Sequence, residues 1–329
     1  MGVSAEKIGR KAIRAANGMV NLCILLLILL LAAFSGYALW DSTQLYNAAD
    51  AVQYEVFKPS EQDEGKSFGE LQALNPEVFA WLTVYGTHID YPVTQAQDNM
   101  KYVNTSAQGE YSLSGSIFLD CGNSQNFSDF NSILYGHHME KQAMFGEIGL
   151  FADKDYFDAR QYGNLYYGGR DHGLAFFAFV HTDAYDASVF AAGVSGQEAQ
   201  QMYLENLLEK ATFTREIGVT AEDRIVLLST CSSESTNGRD ILIGKLTDTV
   251  YGDAFKPNET DHTGLLATID RQINLLTRLP VWVWLLILCV CLLLIGIVIY
   301  HRVKKRRNSA AQRRKSTAQE PHREHEQEG

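Results

Sequence analysis

Two uninterrupted apolar runs frame the chain, at residues 19–40 and 280–300, and neither contains a charged side chain. At about 1.5 Å per residue each makes a helix of roughly 30 Å, long enough to cross the hydrocarbon core of a bilayer. Between them the pattern shortens. Residues 41–75 read as helix in two pieces, Gln44 to Phe57 and Ser67 to Leu74, and the pair Asn75 and Pro76 marks a boundary. From Val78 onward, short β-rich runs bounded by turn residues fall at 79–85, 88–93, 116–119, 132–135, 163–167, 173–180, 224–228 and 240–246. Eight strands in so short a span predict a mainly β domain, either a closed barrel or a sandwich. One helix interrupts them, from Gly196 to Phe213, because Tyr203, Leu204, Leu207, Leu208 and Ala211 recur at helical spacing. An insertion there is a natural wall for a groove. Leu265, Leu266, Ile269, Ile273 and Leu276 form a last helical stripe, which predicts a juxtamembrane linker over 256–279.

Charge orients this frame. The 329 residues carry a net charge of −11, which argues against nucleic acid as a partner. The average hides a segregation: residues 41–279 hold 15 basic and 34 acidic side chains, whereas both ends are basic. Lys7, Arg10, Lys11 and Arg14 precede the first apolar run, and Arg302, Lys304, Lys305, Arg306 and Arg307 follow the second. The positive-inside rule then predicts a two-pass membrane protein. Residues 1–18 and 301–329 are cytoplasmic, and the acidic middle lies outside the cell. A cleaved signal peptide would carry a shorter apolar stretch than 19–40. A hydrophobic content of 46% excludes a polar disordered chain.

Five cysteines are too few for a disulfide scaffold, and three of them (Cys23, Cys289 and Cys291) lie inside the apolar runs. The two left outside, Cys121 and Cys231, do not have metal-ligand spacing, nor do the histidines, so no metal or cofactor is expected. Cys231 ends the apolar strand Ile225 to Thr230, and Arg239 starts the next strand after a polar loop containing Gly238. A thiol at a strand end projects from a rim, and a cation held beside it favours thiolate over thiol. The bland alternative is a buried small side chain followed by a turn arginine. His137 ends another strand, in the run Tyr135, Gly136, His137, His138, Met139. An imidazole there suits the proton transfers of acyl transfer through a thioester.

Three elements now resemble the sortases, and class B among them. They are Tyr135, Gly136, His137, His138 and Met139; Leu228, Ser229, Thr230 and Cys231; and Gly238 with Arg239 leading into Ile241 to Leu246. The helix at 196–213 and the helical lead-in at 41–75 match that class as well. The resemblance implies an eight-stranded sortase-type β-barrel over 76–255, with N-terminal helices and an inserted helix between strands 6 and 7, flanked by the two membrane helices. It implies a cysteine transpeptidase in which Cys231 attacks a backbone carbonyl in the sorting motif of a secreted protein, His137 moves the proton and Arg239 holds substrate and oxyanion. An amine of a cell-wall peptide or a pilin lysine would resolve the thioester. Ser229, Thr230, Asn99 and Val103 would contact substrate. Alternatives are a thiol endopeptidase that releases its acyl group to water, and a non-catalytic peptide-binding ectodomain.

Three departures stand out. Cys121 occupies a position where an aromatic residue is expected, and a packing role is the expectation for it, ahead of a disulfide with Cys231. Ser233 stands where some members carry Asp. The second membrane span is more typical of pilin polymerases than of wall-anchoring enzymes.

Overall fold

A computed structural model of the chain describes residues 2–59, 65–231, 237–256 and 302. The chain divides into two compact units, Met1–Asn258 and Glu259–Gly329. The predicted span at 280–300, nearly all of the predicted linker and Ser233 lie outside the described residues.

The helix α1, Gly2–Ala49, contains the first apolar run, and Ala12–Ser42 is long and apolar enough to cross a membrane. Its apolar side chains are exposed along that stretch, as a lipid-facing helix requires. The helix ends at Asp50, whose carboxylate accepts a hydrogen bond from the Val52 amide (3.0 Å) and starts a 3-10 turn over Ala51–Phe57. Ala49 and Tyr54 are buried against the barrel, and the Tyr91 hydroxyl donates to the Ala49 carbonyl at 2.9 Å. The short helix α2, Lys66–Leu74, buries Phe68 and Leu71.

Among the described residues nine strands follow: β1 (Val78–Val84), β2 (Asp90–Thr94), β3 (Ile117–Leu119), β4 (Asn131–Tyr135), β5 (Tyr162–Tyr167), β6 (Arg170–Asp183), β7 (Ala211–Thr214), β8 (Arg224–Cys231) and β9 (Gly238–Thr247). They pair in the order β5-β1-β2-β3-β4-β8-β9-β6-β7, and β5 also pairs with β6. That extra pairing closes eight strands into a barrel and leaves β7 as a ninth strand outside the ring. Two pairings, β2 with β3 and β4 with β8, are parallel; the rest are antiparallel. The barrel of the resemblance is therefore the observed architecture.

Alternation along the strands builds two cores. Leu228, Val226 and Leu242 face inward with Trp81, Tyr91 and Phe176. Their neighbours Leu227, Ile225, Ile241 and Ile243 face outward, where they are covered by Tyr203, Leu204 and Leu207 of the inserted helix α4, Gln197–Lys210. This helix lies between the sixth and seventh strands of the barrel, as expected, but it ends at Lys210 and not at Phe213. Residues 211–214 instead continue as β7, because Ala211 and Phe213 dock on Val180 and Phe179 of β6 in strand register.

Candidate active site

The parallel pairing of β4 with β8 decides which ends of the chain meet. Tyr135 is the register partner of Ser229, and the Gly136 amide donates to the Ser229 carbonyl at 3.2 Å. Two parallel strands therefore run out together, one into His137 and the other into Cys231. On the other side of β8, Cys231 is the antiparallel register partner of Arg239. Directly opposite residues of such a ladder have Cα atoms about 5 Å apart. His137 thus reaches the same barrel rim as Cys231 and Arg239, which are far from it in sequence.

A cleft of about 420 Å³ opens there. Its lining includes His137, Arg239, Ser229, Thr230, Asn99 and Val103, which are six of the seven site residues expected from sequence. The seventh, Cys231, follows Thr230 in the chain and is fixed by backbone register. Phe118, Tyr135 and Phe190 supply an apolar wall, with Tyr135 stacked on Phe190 at 6.4 Å between centroids. The β6–α4 connection contributes Ala184 and Phe190, so the wall expected of the insertion comes from the segment entering its helix. Phe190 sits in a connection without periodicity, and no sequence signal marks it.

His137 is oriented by the backbone. Its Nε2 lies 2.8 Å from the Val103 carbonyl. A carbonyl only accepts, so Nε2 carries the hydrogen, and in the neutral ring Nδ1 holds the lone pair available to a proton in transit. The carbonyl is delivered by a 3-10 turn, Lys101–Val103. Asp98 caps that turn through the Met100 and Lys101 amides at 2.8 and 3.0 Å. The Tyr102 hydroxyl anchors it from behind, donating to Glu77 (2.6 Å) and accepting from the Asn75 amide nitrogen (2.8 Å). Gly115 makes this approach possible: its φ is +59°, and a Cβ there would lie 2.5 Å from the Tyr102 carbonyl and 2.6 Å from that of Val103. His138 pairs with Met144 through an isolated backbone bridge.

The guanidinium of Arg239 donates to the Gly238 carbonyl at 2.9 Å, and a guanidinium carries four further N–H groups. Deeper in the cleft, Ser229 and Thr230 are 1% and 2% exposed, and their hydroxyls have no hydrogen-bond partner among the described residues. Asn99 is held from both ends: its Oδ1 accepts from the Cys121 amide (2.8 Å) and its Nδ2 donates to Asp120 (2.9 Å). The Tyr135 hydroxyl also donates to Asp120 (3.0 Å). Burial, reinforced by the Asp120 carboxylate, pushes the Tyr135 hydroxyl far above the ordinary tyrosine range.

Cys121 departs from expectation. It is a free, exposed cysteine, and it does not pack into a core. Its backbone amide is engaged by Asn99, which places it in a turn following β3 where its side chain meets solvent.

No family model matches the chain. It is 33% identical over 182 residues to sortase B of Listeria monocytogenes, an alignment covering 54% of this chain and 72% of that protein. Among solved structures it is similar to sortase B of Clostridium perfringens, with 34% identity, a TM-score of 0.53, and coverage of 55% of this chain and 100% of that one. It is also similar to a Streptococcus pyogenes class B sortase involved in pilus biogenesis, with 40% identity, a TM-score of 0.51, and coverage of 56% and 99%.

Proposed function

The chain belongs to the sortase B family, and on that premise we propose that Cys231, His137 and Arg239 perform a transpeptidation on secreted proteins outside the cell membrane. In the first half-reaction the Cys231 sulfur attacks a backbone carbonyl in a sorting motif. The C–N bond breaks, the leaving amine takes a proton from His137, and a thioester remains. In the second, an acceptor amine attacks the thioester carbonyl and loses a proton to His137, forming a new amide and releasing the Cys231 thiolate beside the protonated imidazole, the pair from which the first half-reaction began. Arg239 donates hydrogen bonds to the oxyanion that forms in each half-reaction. Asn99, Val103, Ser229 and Thr230 contact the peptide. The apolar stretch of α1 anchors the enzyme, with the barrel on the outer side.

The observation that carries this reading is the single cleft lined by His137 and Arg239, with Cys231 opposite Arg239 in the β8–β9 ladder. The acceptor is an amine of a cell-wall peptide or a pilin lysine. The likeness to a sortase involved in pilus biogenesis favours the pilin. The full chain, in detergent, is incubated with a fluorogenic pentapeptide library, with and without a glycine oligomer or a lysine-bearing peptide. Transpeptidation yields a joined product that grows with added amine. Product that ignores the amine identifies an endopeptidase, and binding without turnover in the wild type identifies a non-catalytic module.

A further inference from the structure

Asp120 follows β3 and ends no motif, yet it organises one wall of the cleft. Its Oδ2 accepts from two cleft-lining side chains, Asn99 Nδ2 at 2.9 Å and the Tyr135 hydroxyl at 3.0 Å. Its Oδ1 accepts from the Gly122 amide at 2.8 Å, which fixes the carboxylate plane. The consequence is chemical. An ionised carboxylate only accepts and the Cys121 amide only donates, so the Asn99 carboxamide has one permitted orientation, Nδ2 toward Asp120 and Oδ1 toward Cys121. Its second Nδ2 hydrogen is the donor left for the cleft. Tyr135 has given its only hydroxyl hydrogen to Asp120, so its oxygen is left as an acceptor.

We propose that Asp120 is a positioning residue that sets the hydrogen-bonding polarity of this wall, presenting Asn99 as a donor and Tyr135 as an acceptor so that the cleft selects one extended residue of a peptide substrate. Such a residue presents its C=O and its N–H to the same side, the first to Asn99 and the second to Tyr135. The Asn99 nitrogen and the Tyr135 oxygen share one carboxylate oxygen at about 3 Å each, so they lie within about 6 Å of each other and can engage both groups of that residue. An ester or ketone isostere lacks the N–H and leaves the Tyr135 oxygen unpartnered. The inference rests on the peptide cleft assigned above and deepens it.

The discriminating variant is Asp120→Asn, which keeps the shape of the side chain. A carboxamide cannot accept from Gly122, Asn99 and Tyr135 together without turning an N–H toward one of these donors. The probe is the pentapeptide best bound from a fluorescent library, measured by anisotropy on the full-length Cys231→Ala chain, so that affinity is read whether or not the enzyme turns over. D120N is expected to weaken binding about tenfold. In the double background Asn99→Ala, Tyr135→Phe the same substitution is expected to change affinity less than twofold, because the groups it orients are gone. With the wild-type cysteine, the loss falls in KM while kcat stays within about twofold. Equal losses in both backgrounds, or a loss confined to kcat, overturn the proposal. An active wild type with unchanged D120N affinity refutes this inference alone, whereas absent turnover in the wild type refutes the transpeptidase reading alone.

Discussion

Replacing Thr230 by Val separates folding from function at a single atom. The Thr230 side chain is 2% exposed, and Oγ1 has no hydrogen-bond partner among the described residues. A buried hydroxyl stripped of water and left unpaired costs about 1–3 kcal/mol. Valine has nearly the same outline and no such group. Thr230→Val is therefore expected to stabilise the protein by about 1 kcal/mol, which for a domain of this size raises Tm by roughly 2–4 °C. If the hydroxyl exists for the substrate, the same change removes one hydrogen bond from the bound peptide. At about 1 kcal/mol net per bond, kcat/KM should fall about fivefold. Differential scanning fluorimetry and the fluorogenic peptide assay read the two quantities on one preparation. A variant that is less stable with unaltered kcat/KM refutes the reasoning, because the hydroxyl then serves the fold and not the ligand.

Gly115→Ala should destabilise the protein by at least about 2 kcal/mol and lower kcat, because a Cβ at φ +59° collides with the Tyr102 carbonyl and with that of Val103, which orients His137; urea unfolding together with single-turnover kinetics checks both. Asp186 ties the β6–α4 connection to the helix. It accepts from Ser188 Oγ (2.6 Å) and Thr182 Oγ1 (2.8 Å) and pairs with Lys210 (2.9 Å). These bonds, that from Ser188 foremost, hold its carboxyl well below the usual range. A depressed folded pKa contributes stability that is fully present above the unfolded value near 4 and is lost as pH falls beneath it. Denaturation between pH 6 and 2.5 should therefore show a steeper acid loss in the wild type than in Asp186→Asn, and equal slopes would contradict this.

Much of the barrel is legible in the alternation of apolar and polar positions, since all eight of its strands coincide with runs that periodicity picks out. β6 begins earlier than expected, at Arg170, because the Gly168 and Gly169 turn (φ +58° and +81°) folds β5 straight back on it, and hairpin pairing holds polar residues that carry no hydrophobic signal. β7 is hidden for the opposite reason: Ala211 and Phe213 continue the helical stripe of α4, and only pairing with β6 makes them a strand. The catalytic candidates were visible because Cys231 ends β8, Arg239 stands at the start of β9 and His137 lies just past the end of β4, where strand register brings such positions together. Asp120 was not visible, for its role depends on side chains 21 and 15 positions away that only the folded rim brings together. Cys121 was misjudged for a similar reason. A cysteine after an apolar strand reads as core until the turn that exposes it is known.

The central claim, that Cys231 forms a thioester served by His137 and Arg239, is tested most directly by trapping the acyl-enzyme. The full chain is mixed with the turned-over peptide, quenched in acid and digested for mass spectrometry. The account predicts an acyl group on Cys231 that disappears when a glycine oligomer or lysine-bearing peptide is added, and that fails to form in Arg239→Ala and His137→Ala. An acyl group on the exposed Cys121, or turnover that survives Cys231→Ala, would contradict it.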